Sequence, residues 1–171
     1  MWPSATAAGA WVAPTALQHA AWRAAQPGAA VASDPVDVGR GDAGFIALCG
    51  AYRGSGGIAR GTDLAHWMAG RGEGDTRALA ALIVGGQAFS FDWHDTFWVP
   101  MFQFSPLYPA WGAGARQVLA ELAPLLDGWQ LAVWFVRGNT WLDGQRPLDL
   151  LADQPGRVLA AARTDRYVID G

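Results

Sequence analysis

Lysine is absent from this 171-residue chain: all twelve basic residues are arginines, and with fifteen acidic ones they leave a formal net charge of −3. A GC-rich codon bias accounts for that absence. Arginine suits bidentate and stacked contacts at interfaces, so partner binding stays open without being argued for. Cysteine is nearly absent as well. Cys49 stands alone, which excludes an internal disulfide and a cysteine-rich zinc site and points to a reduced intracellular setting. No stretch approaches the ~20 uninterrupted apolar residues of a membrane span. The opening "MWPSATAAGAWVAPTALQHAAWRAA" has no basic segment ahead of an apolar run. A cytoplasmic protein is expected.

What the chain has in quantity is apolar mass. Hydrophobic residues make up 51% of it, enough for one domain or for two small units sharing a core, with about 70% of the unfolded surface buried. The ten tryptophans say more. Each large aromatic buries about 150–250 Å², worth on the order of 4–6 kcal/mol as an upper limit. So many cannot all be central, and some are expected at a seam between subdomains or at a partner surface.

Residues 1–41 read as an Ala-rich N-terminal arm and linker. "PTALQHAAWRAA" fits a helix opening at Pro14 or Thr15, and "QPGAAVASDPVDVGRGDAG" follows with no sustained period. Residues 42–110 read as a helix-turn-helix-like unit with a β-hairpin. "GFIALCGAY" sets Phe45, Leu48, Cys49 and Tyr52 at helical spacing before "GSGG" breaks the pattern. "TDLAHWMAG" makes a second helix, capped by Thr62 or Asp63, with Leu64, Trp67 and Met68 on one face. Asp75 caps a third, "TRALAALIVGG", whose Leu79, Leu82 and Ile83 stand at i, i+3 and i+4. The period then changes to two. "AFSFDW" and "FWVPMFQF", joined by "HDT", form a hairpin in which Pro100 marks an edge strand or a bulge. Helices followed by a two-stranded hairpin are the plan of a winged helix.

Residues 111–171 return to helices. "ARQVLAELAPLL" offers Val118, Leu119, Leu122 and Leu126 to a core, with Pro124 bending its last turn. "DGWQLAVWFVRG" is apolar almost all round, so it is the expected central helix, with Asp127 as cap and Gly138 as stop. In "WLDGQRPLDLL", Leu142 packs inward, Gly144 allows a left-handed turn, and Pro147 opens a helix where its missing N–H costs nothing. A terminal helix then turns Val158, Leu159 and Ala162 inward and ends in a frayed tail.

The stretch "WFVRGNTWLDGQRPLDLLADQPGRVLAAA" resembles the toxin-binding domain of the Xre/MbcA/ParS antitoxin family. Trp134, Asn139, Leu142, Gly144, Pro147, Leu150, Leu151 and Val158 occupy that family's signature places. "FWVPMFQF" is similar to the aromatic-Pro-x-Phe-Gln-Phe segment that often precedes the domain, and Gly138 stands where the family often has Pro. The resemblance covers about residues 56–166 and is strongest after Gly128. It implies a mainly α fold: a degenerate winged helix-turn-helix with a short β-hairpin, followed by a small helical toxin-binding-like domain. It also implies an antitoxin-like homodimer that binds and neutralises a protein toxin, commonly of the RES type acting on NAD, and that regulates its own operon. Residues 139–146 and 163–171 are then the surfaces that approach the toxin, with Arg146, Arg163 and Arg166 bonding its acidic groups, Trp141 and Tyr167 as apolar anchors, and Asn139 at the edge.

Two alternatives stand beside this reading. The first is a DNA-binding transcriptional regulator reading its operator through Thr76, Arg77 and Gln87. Between residues 44 and 110, however, Arg53, Arg60, Arg71 and Arg77 face Asp63, Glu73, Asp75, Asp92 and Asp95, four against five. DNA binding usually draws on about 6–10 phosphate contacts. The second is a small enzyme using His94, flanked by Asp92 and Asp95. A polar hairpin turn explains the same residues. His19 and His66 lack a second ligand at i+4, "GSGG" lacks the Lys-Ser/Thr of a phosphate loop, and Cys49 has no neighbouring base, so no catalytic residue, cofactor or metal is assigned.

Overall fold

The computed structural model describes residues 39–105 and 109–171, and they form a mainly helical body with one small antiparallel sheet. The expected helix "PTALQHAAWRAA", its linker and His19 lie outside the described residues. Helix α1 (Asp42–Tyr52) opens with Asp42 in its first turn, where a carboxylate complements the helix dipole, and buries Gly44, Leu48 and Tyr52 at i, i+4 and i+8. A 3-10 turn ends at Gly56 and Gly57, both at positive φ (103° and 79°). That reversal launches strand β1 (Ile58–Arg60), an element the sequence reading did not contain.

Helix α2 (Gly61–Gly70) follows without a break. Its N-cap is Arg60, with no side-chain cap, so Thr62 and Asp63 lie inside the first turn rather than before it. A Cβ on Gly61 would stand 1.8 Å from the Phe97 ring, so glycine lets the first turn of α2 lie close against the sheet. Helix α3 (Thr76–Val84) is capped as expected: Asp75 accepts from the N–H groups of Arg77 and Ala78 at 2.9 and 3.1 Å.

The hairpin is shorter and the sheet wider than the alternation suggested. Strands β2 (Phe91–Trp93) and β3 (Thr96–Pro100) are joined by His94 and Asp95, both left-handed at φ 47° and 54°, as a two-residue loop of the I′ kind requires. Strand β1 pairs with β3 on its other side, Ile58 opposite Pro100 and Arg60 opposite Trp98. Strand β3 is therefore central, not an edge. Pro100 is its last residue, so the missing N–H falls where the ladder stops, and the next N–H, of Met101, donates to Gly57 O at 3.0 Å. Beyond it Met101–Phe104 coil into a 3-10 turn.

The sheet divides two cores. Phe97 and Val99 join Leu64, Ala65, Met68 and Leu79 of α2 and α3 in the smaller one. Phe91, Trp93 and Trp98 turn the other way, where Phe45 stacks on Trp93 at 5.3 Å and Trp129 lies 5.6 Å from Trp93. That larger core continues without a seam past residue 110, joining Leu48, Tyr52, Phe89 and Phe102 to Leu119, Phe135, Leu151 and Val158. Buried Tyr52 donates its hydroxyl to Ala132 O at 2.8 Å, and burial holds its pKa well above the usual tyrosine value.

Four helices complete the body. Helix α4 (Pro109–Leu122) stops two residues short of Pro124, which terminates the helix rather than bending it. Helix α5 (Gly128–Val136) is capped by Asp127 in a reciprocal box with Gln130 and buries Trp129, Leu131, Ala132, Phe135 and Val136. It is the central helix that its all-round apolarity predicts. Its C-cap is Arg137, one residue before the expected Gly138. A 3-10 turn (Thr140–Leu142) buries Leu142, and Asp143 and Gly144 follow at positive φ (57° and 77°). Helix α6 (Pro147–Leu150) has Pro147 at its first position. Helix α7 (Pro155–Asp170) buries Val158, Ala161 and Ala162, while Leu159 is only half-buried. It runs to Asp170, so the tail expected to fray is helical.

Candidate partner-binding site

The site is built where α5 hands over to the turn before α6. Arg137 ends the helix in an extended conformation, and Asn139, also extended, becomes the N-cap of the 3-10 turn by accepting the Trp141 N–H on Oδ1 at 2.8 Å. The amide of Asn139 then faces α7. Its Nδ2 donates to Asp165 Oδ2 at 2.7 Å, and Trp134 Nε1, one turn back in α5, donates to the same oxygen at 2.8 Å. Trp141 Nε1 donates to the other oxygen, Oδ1, at 2.8 Å. One carboxylate thus receives three N–H donors from two elements and fixes the turn against α7. Buried or half-buried polar groups need such partners, and among the described residues no buried side-chain nitrogen or oxygen lacks one.

Trp141 remains 53% exposed although its polar edge is satisfied. Beside Asp165 the last turn of α7 exposes Tyr167, Val168 and Ile169 at 80, 65 and 50%. Val168 and Ile169 stand three and four residues beyond Asp165, on the helix face that meets Trp141. Of the six large hydrophobics exposed among the described residues, four are at this end; the others are Ile46 and Val84.

The three arginines expected to reach a partner's acidic groups already hold carboxylates of this chain. Arg146 grips Asp149 through two nitrogens at 2.6 and 2.8 Å. Arg163 and Arg166 both bond Glu121 of α4, each at 2.9 Å. Those two hydrogen bonds hold the Glu121 carboxyl below its ordinary pKa. Arg146 and Asp149 are both solvent-accessible, and such a pair contributes only about 0–1 kcal/mol, whereas Glu121 is half-buried beneath its two exposed arginines. Apolar surface therefore dominates this region, with Arg137, exposed at the end of α5 and without an ion pair among the described residues, as its one free cation. Sequence reasoning named Asn139, Trp141 and Tyr167 and took in 163–171 as a stretch, but gave Asp165, Val168 and Ile169 no role of their own. Asp165 lies 24 to 31 residues from its three donors, a separation that no local pattern reports.

The other candidate residues are placed apart from this site. Thr76, Arg77 and Gln87 are all exposed at α3, on or just beyond a face shared with Ala80, Ala81 and Val84. That face carries one cation. His94 sits at the exposed hairpin tip, its Nε2 3.2 Å from Asp42 Oδ1 and its ring 4.5 Å from Trp93. Nearby, Arg40 pairs with Asp127, so the tip and the start of α5 both meet the entry of α1. Cys49 is half-buried and burial raises its pKa, which suits a small packing residue rather than a thiolate nucleophile. Among the described residues no three His, Cys, Asp or Glu side chains gather as metal ligands, and no helix is long and apolar enough to cross a membrane.

No protein-family model matches the chain, and neither a curated protein nor a solved structure does so.

Proposed function

We propose that the chain is an antitoxin-like protein that binds and neutralises a partner toxin through the end of α7 and the pinned turn beside it. The observation that supports this is the exposure of large apolar side chains at this end, Trp141 with Val168 and Ile169 on the Asp165 face of α7 and Tyr167 on the other side of the same turn, beside a turn pinned through Asp165. Exposed apolar clusters mark interaction surfaces, and tryptophan and tyrosine are the side chains that most often carry their energy. The resemblance of residues 134–158 to the Xre/MbcA/ParS toxin-binding domain supplies the kind of partner: a protein toxin, with the RES type the first to try. In this reading the protein acts in the cytoplasm as a homodimer, without catalysis of its own.

The experiment is co-expression with the product of the adjacent reading frame, read as a complex by size exclusion and as relief of that product's toxicity. Trp141→Ala and Tyr167→Ala should each weaken the complex at least tenfold. A complex that survives both substitutions unchanged refutes the surface, and a neighbouring product that never binds refutes the antitoxin reading.

A second reading rests on topology. The order α1-β1-α2-α3-β2-β3, with β1 paired to β3, suits a winged helix-turn-helix in which α3 enters the major groove with Thr76, Arg77 and Gln87. Operator binding would then accompany toxin binding as autoregulation, or replace it in a transcriptional regulator without a toxin. With one cation on the exposed face of α3, affinity for DNA is expected to be low and steeply salt-dependent. A gel shift with the chain's own upstream region, abolished by Arg77→Ala, tests it.

A further inference from the structure

We infer that Asp165 is the positioning residue of this surface: its Oδ1 holds the Trp141 ring in one orientation, so that a partner meets a preformed aromatic anchor instead of a mobile side chain. The inference rests on the partner-binding reading. An exposed tryptophan ordinarily samples several rotamers, and freezing it on association weakens binding by about three- to tenfold relative to a ring already in place. Here the ring is fixed at both ends. Its backbone N–H is held by Asn139 Oδ1 at 2.8 Å, and its indole N–H by Asp165 Oδ1 at 2.8 Å. With its one polar atom turned toward α7, the indole presents apolar surface outward.

The two oxygens divide their work, and that division makes the role separable from general stability. Oδ2 serves Trp134 and Asn139, which tie α5 and the turn to α7, whereas Oδ1 serves Trp141 alone. Asp165→Asn keeps size and shape but leaves one acceptor oxygen. It is best satisfied facing the two donors, which turns the new amide NH2 toward the Trp141 indole N–H. The variant therefore releases Trp141 and spares Trp134.

The test uses the full chain and its ten indole N–H signals in a proton–nitrogen correlation spectrum, with the signals of Trp134 and Trp141 assigned through Trp134→Phe and Trp141→Phe. In Asp165→Asn the Trp141 indole should shift and exchange with water at least tenfold faster, the Trp134 signal should hold, and affinity for the adjacent reading frame's product should fall three- to tenfold. An unaltered Trp141 signal overturns the positioning role. Release of the ring with unchanged affinity overturns the preformed anchor and leaves the docking surface standing. If the neighbouring product fails to bind the parent chain, the docking reading falls while the indole signals still decide what Asp165 holds. Should Asp165→Asn unfold the protein, replacement of Trp141 by its benzothiophene analogue, which keeps the bicyclic ring and removes the N–H donor, must show the same three- to tenfold loss, and unchanged affinity there overturns the proposal.

Discussion

Gln103 should be one of the most sensitive positions in the protein, although it touches no candidate site. Its side chain is nearly buried in the 3-10 turn after β3, where Oε1 accepts the Phe89 N–H at 2.8 Å and Nε2 donates to Phe89 O and Pro100 O, each at 3.0 Å. The amide thus continues the sheet by one side-chain pairing where β2 has not yet begun. Gln103→Ala strands the buried Phe89 N–H, at about 1–3 kcal/mol, and takes one donor from each of two carbonyls, about 0.5–1.5 kcal/mol apiece. The sum is roughly 2–6 kcal/mol out of a typical 5–15. For a chain of this length Tm should drop by roughly 4–24 °C. Urea unfolding followed by tryptophan fluorescence measures the loss, and hydrogen exchange at the Phe89 amide localises it. Gln103→Glu gives a sharper check. Its ionised carboxylate would aim an oxygen at two carbonyls, so the folded state favours the protonated form and raises that pKa. The variant's penalty should therefore shrink as pH falls. Stability within about 0.5 kcal/mol of the parent for Gln103→Ala, or a pH-independent penalty for Gln103→Glu, would refute the reasoning.

Three further outcomes test the packing. Gly61→Ala drives a methyl into the Phe97 ring, 1.8 Å away, and should cost about 1–3 kcal/mol in urea unfolding. The loss should largely vanish in a Phe97→Ala background, and additivity there would contradict the contact. Glu121 has its folded pKa lowered by Arg163 and Arg166, so what it contributes is present above the ordinary glutamate value of 4.5 and is lost as pH falls through the lowered one. The stability gap between the parent and Glu121→Gln should close over that acid window, and a constant gap would show that the two arginines do not act through this carboxylate. Tyr52→Phe should lose about 1 kcal/mol at neutral pH with the bond to Ala132 O. Because the folded pKa of Tyr52 is raised, the parent loses stability as pH climbs past the ordinary value of 10.0, so the phenylalanine variant should unfold at a higher alkaline midpoint relative to its neutral stability.

What could be read from sequence and what could not divide along the distance over which the deciding interaction acts. Asp75 and Asp127 cap their helices through N–H groups two or three residues away, and both caps were legible for that reason. Gly144 and Pro147 are conformational necessities of their own positions, so the turn before α6 was legible too. Strand β1 was not. Three residues after a glycine pair carry no period, and Ile58–Arg60 become a strand only because β3, some forty residues on, lies beside them. The same pairing overturned the edge assignment of Pro100, since one unseen strand moves β3 to the centre. Gln103 and Asp165 belong to this class: polar residues whose meaning lies in donors 14 to 31 residues distant.

The end of α7 failed for a different reason, and it is the informative one. Tyr167, Val168 and Ile169 are consecutive, so no single helix face can bury all three, and a reading that expects apolar side chains to face a core must place them in a tail. The chain instead stays helical through Asp170 and exposes all three. Helix propensity does not explain that persistence, because Tyr, Val and Ile are middling formers and so short a turn gains little alone. Order at this end has a visible source one turn earlier, where Asp165 is bonded to α5 and to the turn, and Arg163 and Arg166 to Glu121 of α4. If those bonds sustain the last turn, Asp165→Ala combined with Glu121→Ala should speed amide hydrogen exchange across residues 166–170 at least tenfold and leave exchange around Val158 slow. Equal protection in the double variant would mean that the exposed apolar turn is held by something other than the contacts described.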